Sequence, residues 1–289
     1  MNFLSKILWP ITAPIKFIQN HFKTVLFLTI LYFIFSSTDS ETLKQANLQI
    51  IELNGPVLVA DEVLEKIEKA KSDAQIKGVL FKVNSPGGAV APSVEIAYAI
   101  QELNQIKPVV AYASGIMASG SYYASIWAER IIANPGSMIG SIGVIMQSVD
   151  ASELLSKIGI KPQTVKVGEY KESGTPTRKW TQKEKEELEK ITQNTYDMFV
   201  KDVATARKLD TKEHKTYADA HIFTSEGALQ VGLIDEIGTI SKAKASVEHL
   251  SGVMVPVWAK EDKMDKLMES FITNSIARIS NQLNGLQAY

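Results

Sequence analysis

Between residues 48 and 133 the chain alternates short apolar runs with stretches of helical spacing, and small or turn-forming residues follow most of the runs. Leu48–Leu53 ends at Asn54-Gly55-Pro56, and Gly78–Val83 ends at Asn84-Ser85-Pro86-Gly87-Gly88. Pro108–Ala113 leads into a turn built on Ser119-Gly120-Ser121, and Arg130–Ala133 is the fourth run. Between them, Asp61–Ser72 sets Val63, Leu64, Ile67 and Ala70 at helical spacing, while Pro92–Leu103 and Tyr122–Ala128 also read as helix. Strands separated by helices form parallel βαβ units, an α/β fold whose ligands gather at the carboxyl ends of the strands.

The second half is more helical. Trp180–Ala206 carries Leu188, Ile191, Tyr196, Phe199 and Val203 on one stripe behind a Thr181 cap, and shorter helices start at Ser225 and Ser241. From Asp262 the tail spaces Met264, Leu267, Met268, Phe271, Ser275, Ile279 and Leu283 as one more helix face, which either packs on its own domain or meets a partner.

Composition narrows the chemistry. In 289 residues with 45% apolar content and a net charge of −1, there is core enough for a large domain and no basic excess to suggest a nucleic-acid partner. The absence of cysteine removes disulfides, thiolate nucleophiles and cysteine-ligated metals, and His21, His214, His221 and His249 are too scattered for a metal-ligand spacing. Hydroxyls, lysines and carboxylates are left, with no metal or cofactor expected.

The N-terminus is of another kind. Residues 24–35 are uncharged and apolar, and Ser36, Ser37 and Thr38 extend the run to 15 residues, short of the roughly 20 that span a bilayer comfortably. Snorkelling of Lys23 and the amphipathic stretch before it can supply the missing length. Lys6, Lys16 and Lys23 precede the run, and no acid appears before Asp39. The expectation is a cytoplasmic segment 1–23, an anchor 24–38 in the lipid bilayer of the cell membrane, a linker 39–46, and the remainder outside the cytoplasm. A cleaved signal peptide is the rival, but no A-x-A-like site follows; a buried core helix is the other.

Two turns can carry chemistry. The glycines of Asn84–Gly88 let the backbone approach a ligand and aim N–H groups at it; no G-K-[ST] follows, so this is not a phosphate loop. The serine-rich turn lies at the same sheet edge. A serine at a helix N-terminus there can attack a carbonyl, with the next N–H and one from Gly88 holding the oxyanion. By spacing alone Ser114, Ser119, Ser121 and Ser125 are equal candidates. No G-x-S-x-G elbow is present, and no histidine stands near either turn in sequence; if none serves, a lysine is the usual replacement base.

Four ordered motifs, N-S-P-G-G, M-A-S-G-S-Y-Y, I-G-S-I-G-V-I and G-E-Y-K-E-S-G-T-P-T-R, resemble the bacterial signal peptide peptidase A family, serine–lysine peptidases of the ClpP/crotonase fold. The likeness covers residues 47–260. It implies a repeated β-β-α/βαβ core with a helical second half, preceded by one transmembrane helix. It also implies Ser119 as nucleophile, Lys171 as general base and Ser141 as the hydroxyl orienting the lysine. Gly88 matches the main-chain oxyanion donor, with Gly120 its companion. Ser121 departs from the family, where a second glycine is common. The implied substrates are apolar remnant signal peptides, and no cofactor is called for. Longer members carry two such domains, with serine and lysine from different halves, which implies here a homo-oligomeric ring with sites shared between protomers.

A free lysine, with a pKa of about 10.4, is protonated at neutral pH, and a lysine base must fall to about 7–8. That difference is roughly 4 kcal/mol, within reach of desolvation. Glu169 and Glu172 would oppose it if they faced the amine, so they are expected to point away. Two other classes compete: a crotonase-like acyl-CoA enzyme, for which a Ser–Lys pair has no use, and a catalytically silent peptide-binding scaffold.

Overall fold

The computed structural model describes residue 17 and residues 19–36 and 45–259, and the chain divides after Gln45 into two units. In the first, Phe22–Ser36 forms helix α1. A helix thus forms where the anchor is expected, over 15 residues. Among the described residues no helix is long and apolar enough to cross a membrane. Ser37 and Thr38 of the expected anchor, most of segment 1–23 and the tail 261–289 lie outside the described residues.

In chain order the second unit runs β1 (Leu48–Asn54), α2 (Asp61–Ser72), β2 (Gly78–Ser85), α3 (Val90–Asn104), β3 (Val109–Ala118), α4 (Gly120–Ser125), β4 (Arg130–Ala133) and β5 (Met138–Gly140). It continues with α5 (Ser152–Lys157), α6 (Gln182–Arg207), α7 (His214–Tyr217), β6 (Ile222–Thr224), α8 (Ser225–Gln230), β7 (Glu236–Ile237) and α9 (Ile240–Ser251). The sheet order is β1-β2-β3-β4-β7, all parallel; β5 joins β3 in parallel and β6 joins β5 antiparallel. This is the α/β architecture the alternating pattern predicts.

The sheet is buried on both faces, as a parallel sheet must be. Period-two alternation sends Val79, Phe81, Val83, Val109, Ala111 and Ala113 into the larger core, with Val63 and Ile67 of α2, Ile96 and Ile100 of α3, and Phe199 and Val203 of α6. The intervening Leu80, Val110 and Tyr112 meet Ala243 and Val247 of α9 on the other face. That helix comes close enough that a Cβ on Gly78 would lie 2.9 Å from Val247 Cγ1. A Val247→Asp change would put a charge into that interface and break it.

The strand β3 runs five residues past its expected end at Ala113, and this extension places the site. Residues 110–113 pair with β4, whereas residues 116–118 pair with β5. At the changeover the β2–β3 register jumps from Val83↔Ala113 to Ser85↔Met117, so that three residues of β3 oppose Asn84 alone. Side chains repair the broken ladder: Asn84 Oδ1 accepts from the Ile116 N–H at 3.1 Å, and Ser114 Oγ donates to the Val83 carbonyl at 3.1 Å. Gly115 is required here, because a Cβ would sit 2.5 Å from Asn84 Oδ1.

Candidate active site

The turns after β2 and β3 lie side by side at the carboxyl edge of adjacent parallel strands. Ser119 caps α4 with φ 53° and ψ −126°, the first central position of a type II′ turn, where glycine is the usual occupant. Its N–H donates to Gly140 O at 2.7 Å, and its carbonyl accepts from Tyr123 N at 3.0 Å. Its hydroxyl has no hydrogen-bond partner among the described residues and lines a cleft. The other serines of the turn are engaged. Ser121, fully buried, bridges Ser85 O (2.6 Å), Ala118 O (2.9 Å) and Ala118 N (2.9 Å). Ser125 donates to Ser121 O, and Ser114 is tied to β2 as described. Geometry therefore separates Ser119 from three candidates that spacing left equal.

Two amides face the same space. Val57 forms a parallel bridge with Gly88, donating to Gly87 O at 2.9 Å and accepting from Ala89 N at 2.8 Å. In such a bridge the central residue turns its own N–H to the opposite side, which directs the Gly88 N–H away from Val57. Gly88 N lies 3.3 Å from where a Cβ of Gly120 would stand, so the two glycines adjoin. The Gly120 N–H, in the first turn of α4, has no intrahelical acceptor. Neither glycine can be replaced at no cost: a Cβ on Gly88 would lie 2.2 Å from Val57 O, and one on Gly120 2.2 Å from Ser93 Oγ.

The cleft encloses about 490 Å³ of empty space, part of it open to solvent. Val90, Val94, Tyr123, Val144, Met198 and Phe199 are among its apolar and aromatic lining residues, and Ser119 and Gly88 line it too. Tyr123 stacks edge-on against Phe199, with centroids 4.8 Å apart, and its hydroxyl donates a short hydrogen bond to Asp202. Burial, that hydrogen bond and the carboxylate's charge raise the phenol's pKa far above its ordinary value. The ring therefore stays neutral and fixed. The α6 wall was legible as a helical stripe; its role as a cleft wall was not.

Ser141 follows β5 directly. Because Ala118 pairs with Gly140, Ser119 and Ser141 leave neighbouring strand ends together, both with positive φ (53° and 49°). The Ser141 N–H donates to His221 O at 2.6 Å. Lys171 stands apart. It is exposed, does not line the cleft, and its amine bonds to no described residue. A single chain thus brings together Ser119, Ser141, Gly88 and Gly120 and leaves Lys171 outside.

The segment bearing Lys171 is nevertheless held firmly. Glu172 pairs with Lys166 at 2.9 Å and with Arg178 at 3.0 Å. Arg178 also makes two 2.8 Å bonds to Glu184, which is 2% exposed and closes a capping box with Thr181 at the start of α6. Hydrogen bonds from Lys166, Thr164 and Arg178 hold Glu172 down to about 2, and Arg178 with the Thr181 amide does the same for Glu184. Glu169 is paired with Lys183 at 2.7 Å. Both acids beside Lys171 are therefore engaged by other cations. Sequence reading took Thr181 as a cap and missed both the Glu184 half of the capping box and the brace through Arg178.

An α/β domain presenting an unpartnered, strained serine beside two main-chain N–H donors has the equipment of a serine hydrolase. Comparison with known proteins makes this specific. Residues 101–254 match the model of peptidase family S49. A putative protease of Methanocaldococcus jannaschii is 43% identical over 194 residues, 67% of this chain and 61% of that protein. A putative signal peptide peptidase of Enterococcus faecium is 32% identical over 226 residues (72% and 66%), and a putative protease of Synechocystis is 32% identical over 214 (74% and 77%). The chain thus spans less than two thirds of the length of the first two. It belongs to peptidase family S49, the signal peptide peptidase A family.

Proposed function

We propose that the chain is a membrane-anchored endopeptidase of the ClpP/crotonase fold that degrades apolar peptides, remnant signal peptides among them, through a Ser119–Lys171 dyad. The observation carrying this is Ser119 itself, a bulky replacement for glycine at a II′ position with its hydroxyl free at the edge of an apolar cleft. An extended peptide adds as a strand between Gly88–Val90 and the Gly143–Met146 segment, which is neither helix nor strand, with an apolar side chain in the cleft. Lys171, oriented by Ser141, takes the Ser119 proton as Oγ attacks the carbonyl carbon. The Gly88 and Gly120 amides hold the oxyanion. The intermediate collapses, the C–N bond breaks and the leaving amine receives that proton, forming an acyl-enzyme that water hydrolyses by the same route.

Since Lys171 lies outside its own chain's cleft, it serves the Ser119 of a neighbour, and repetition of that contact head-to-tail closes a ring. The uncharged run 24–38 behind three lysines supplies the anchor, with the domain outside the cytoplasm. The test is digestion of an apolar peptide by wild-type protein, by Ser119→Ala, by Lys171→Ala, and by the two variants mixed under subunit exchange. Each variant alone should be dead and the mixture partly active, from sites pairing an intact serine with an intact lysine. Mixed oligomers that stay inactive, from folded parents, return the dyad to one chain; an active Lys171→Ala removes the lysine from the reaction.

A further inference from the structure

Next to the lysine in sequence stands a carboxylate that could disable it. Glu172 is adjacent to Lys171, and a carboxylate within about 4–6 Å of an amine favours the protonated form by about 1–3 pH units. The charged groups around this loop are Lys166, Glu169, Glu172, Arg178 and Lys179 within it, and Lys183 and Glu184 on α6, with the Tyr170 phenol beside them. Glu169 is taken by Lys183. Glu172 Oε2 accepts from both Lys166 and Arg178, whose guanidinium is itself anchored by two bonds to the nearly buried Glu184. Arg178 thus ties the lysine loop to the rigid, capped end of α6 and, together with Lys166, fixes the direction of the Glu172 carboxylate.

We propose that Arg178 is a positioning residue of the reaction: bridging Glu172 to Glu184, it keeps the Glu172 carboxylate off the amine of Lys171 so that the amine can work unprotonated. Lysine at this position cannot substitute fully, since a point charge does not grip Glu184 bidentately while holding Glu172. The inference rests on Lys171 being the base, and the experiment separates the two.

The test is the pH dependence of kcat/KM for the full chain, its Lys171→Ala control, Arg178→Gln, Glu172→Gln and the Arg178→Gln/Glu172→Gln double variant. Arg178→Gln should move the rising limb upward by about one pH unit, about a tenfold loss of kcat/KM near neutrality. Adding Glu172→Gln should return the limb to its wild-type position, and Glu172→Gln alone should not raise it. KM should change little, because neither residue lines the cleft. Because Glu184 loses its partner in Arg178→Gln, folding is checked by circular dichroism. If that variant is unfolded, Lys166→Gln asks the same question at the same oxygen of Glu172, with a smaller upward shift that disappears in the Glu172→Gln background. A uniform loss of rate with the limb unmoved, or a limb that Glu172→Gln fails to restore, overturns the proposal while leaving the base in place. An active Lys171→Ala overturns the base itself.

Discussion

Ser119 sits in a backbone conformation that costs a non-glycine residue about 1–3 kcal/mol, held by Gly140 O on one side and the first turn of α4 on the other. Alanine inherits that strain and glycine does not. Ser119→Gly should therefore be about 1 kcal/mol more stable than Ser119→Ala by denaturant unfolding, while both hydrolyse no peptide. Equal stability would mean that the strain is illusory. Ser121 predicts the reverse pattern. Its hydroxyl satisfies groups of β2 and β3 within the core, so Ser121→Ala should cost about 1–3 kcal/mol and still react with a serine-directed phosphonate; loss of labelling with the fold intact would reopen the choice of nucleophile. Glycine 120 lies against Ser93, and Gly120→Ala should destabilise, with Ser93→Ala as partial suppressor because it removes the nearer of the two clashing atoms.

At the scale of elements, the brace around Glu172 and Glu184 gives the loop a pH dependence of known sign. Both carboxyls lie near 2 in the folded chain against an ordinary value of 4.5, so their hold is complete above about 4.5 and is lost as the pH falls towards 2. Amide exchange in residues 164–178 should accelerate through that window, corrected for its intrinsic rate; protection that persists to pH 2 would show the loop to be held otherwise. Sequence periodicity was enough to place α2 over Asp61–Ser72 and to put the two turns at one edge, because buried parallel strands and amphipathic helices write their periods openly. It missed the last five residues of β3, since Ser114–Ala118 looks like turn chemistry and pairs only after a bulge that Asn84 completes from 32 positions away. It also missed β5 to β7, which have two or three residues each, too few to show a period. On α6, Ile191 of the expected core stripe is 45% exposed, because the helix reaches the core only from Tyr196 onward. For the site, the motifs pointed to Ser119, and the structure engages the hydroxyls of Ser114, Ser121 and Ser125 in hydrogen bonds while leaving that of Ser119 without a partner among the described residues. That Lys171 does not line the cleft of its own chain had no signal in the order of the motifs.

For the molecule as a whole, the telling region is residues 144–170, which contain one short helix and show Ile145, Val149, Leu154, Val165 and Val167 to solvent. Val165 and Val167 are 102% and 95% exposed, so replacing them costs the single chain little, while a ring built through this arm would bury them. Val165→Asp/Val167→Asp should melt like the parent yet elute as a smaller species and digest no peptide; a full-sized, active double variant would take the arm out of the assembly. If the lysine comes from a neighbour, a further property follows from its position on an exposed loop. Each new chain is then its own zymogen, silenced by solitude rather than by a propeptide. Activity per molecule falls on dilution, reaction velocity rises more steeply than in proportion to enzyme concentration, and the threshold for switching on is set by how densely the chains are crowded where they are made.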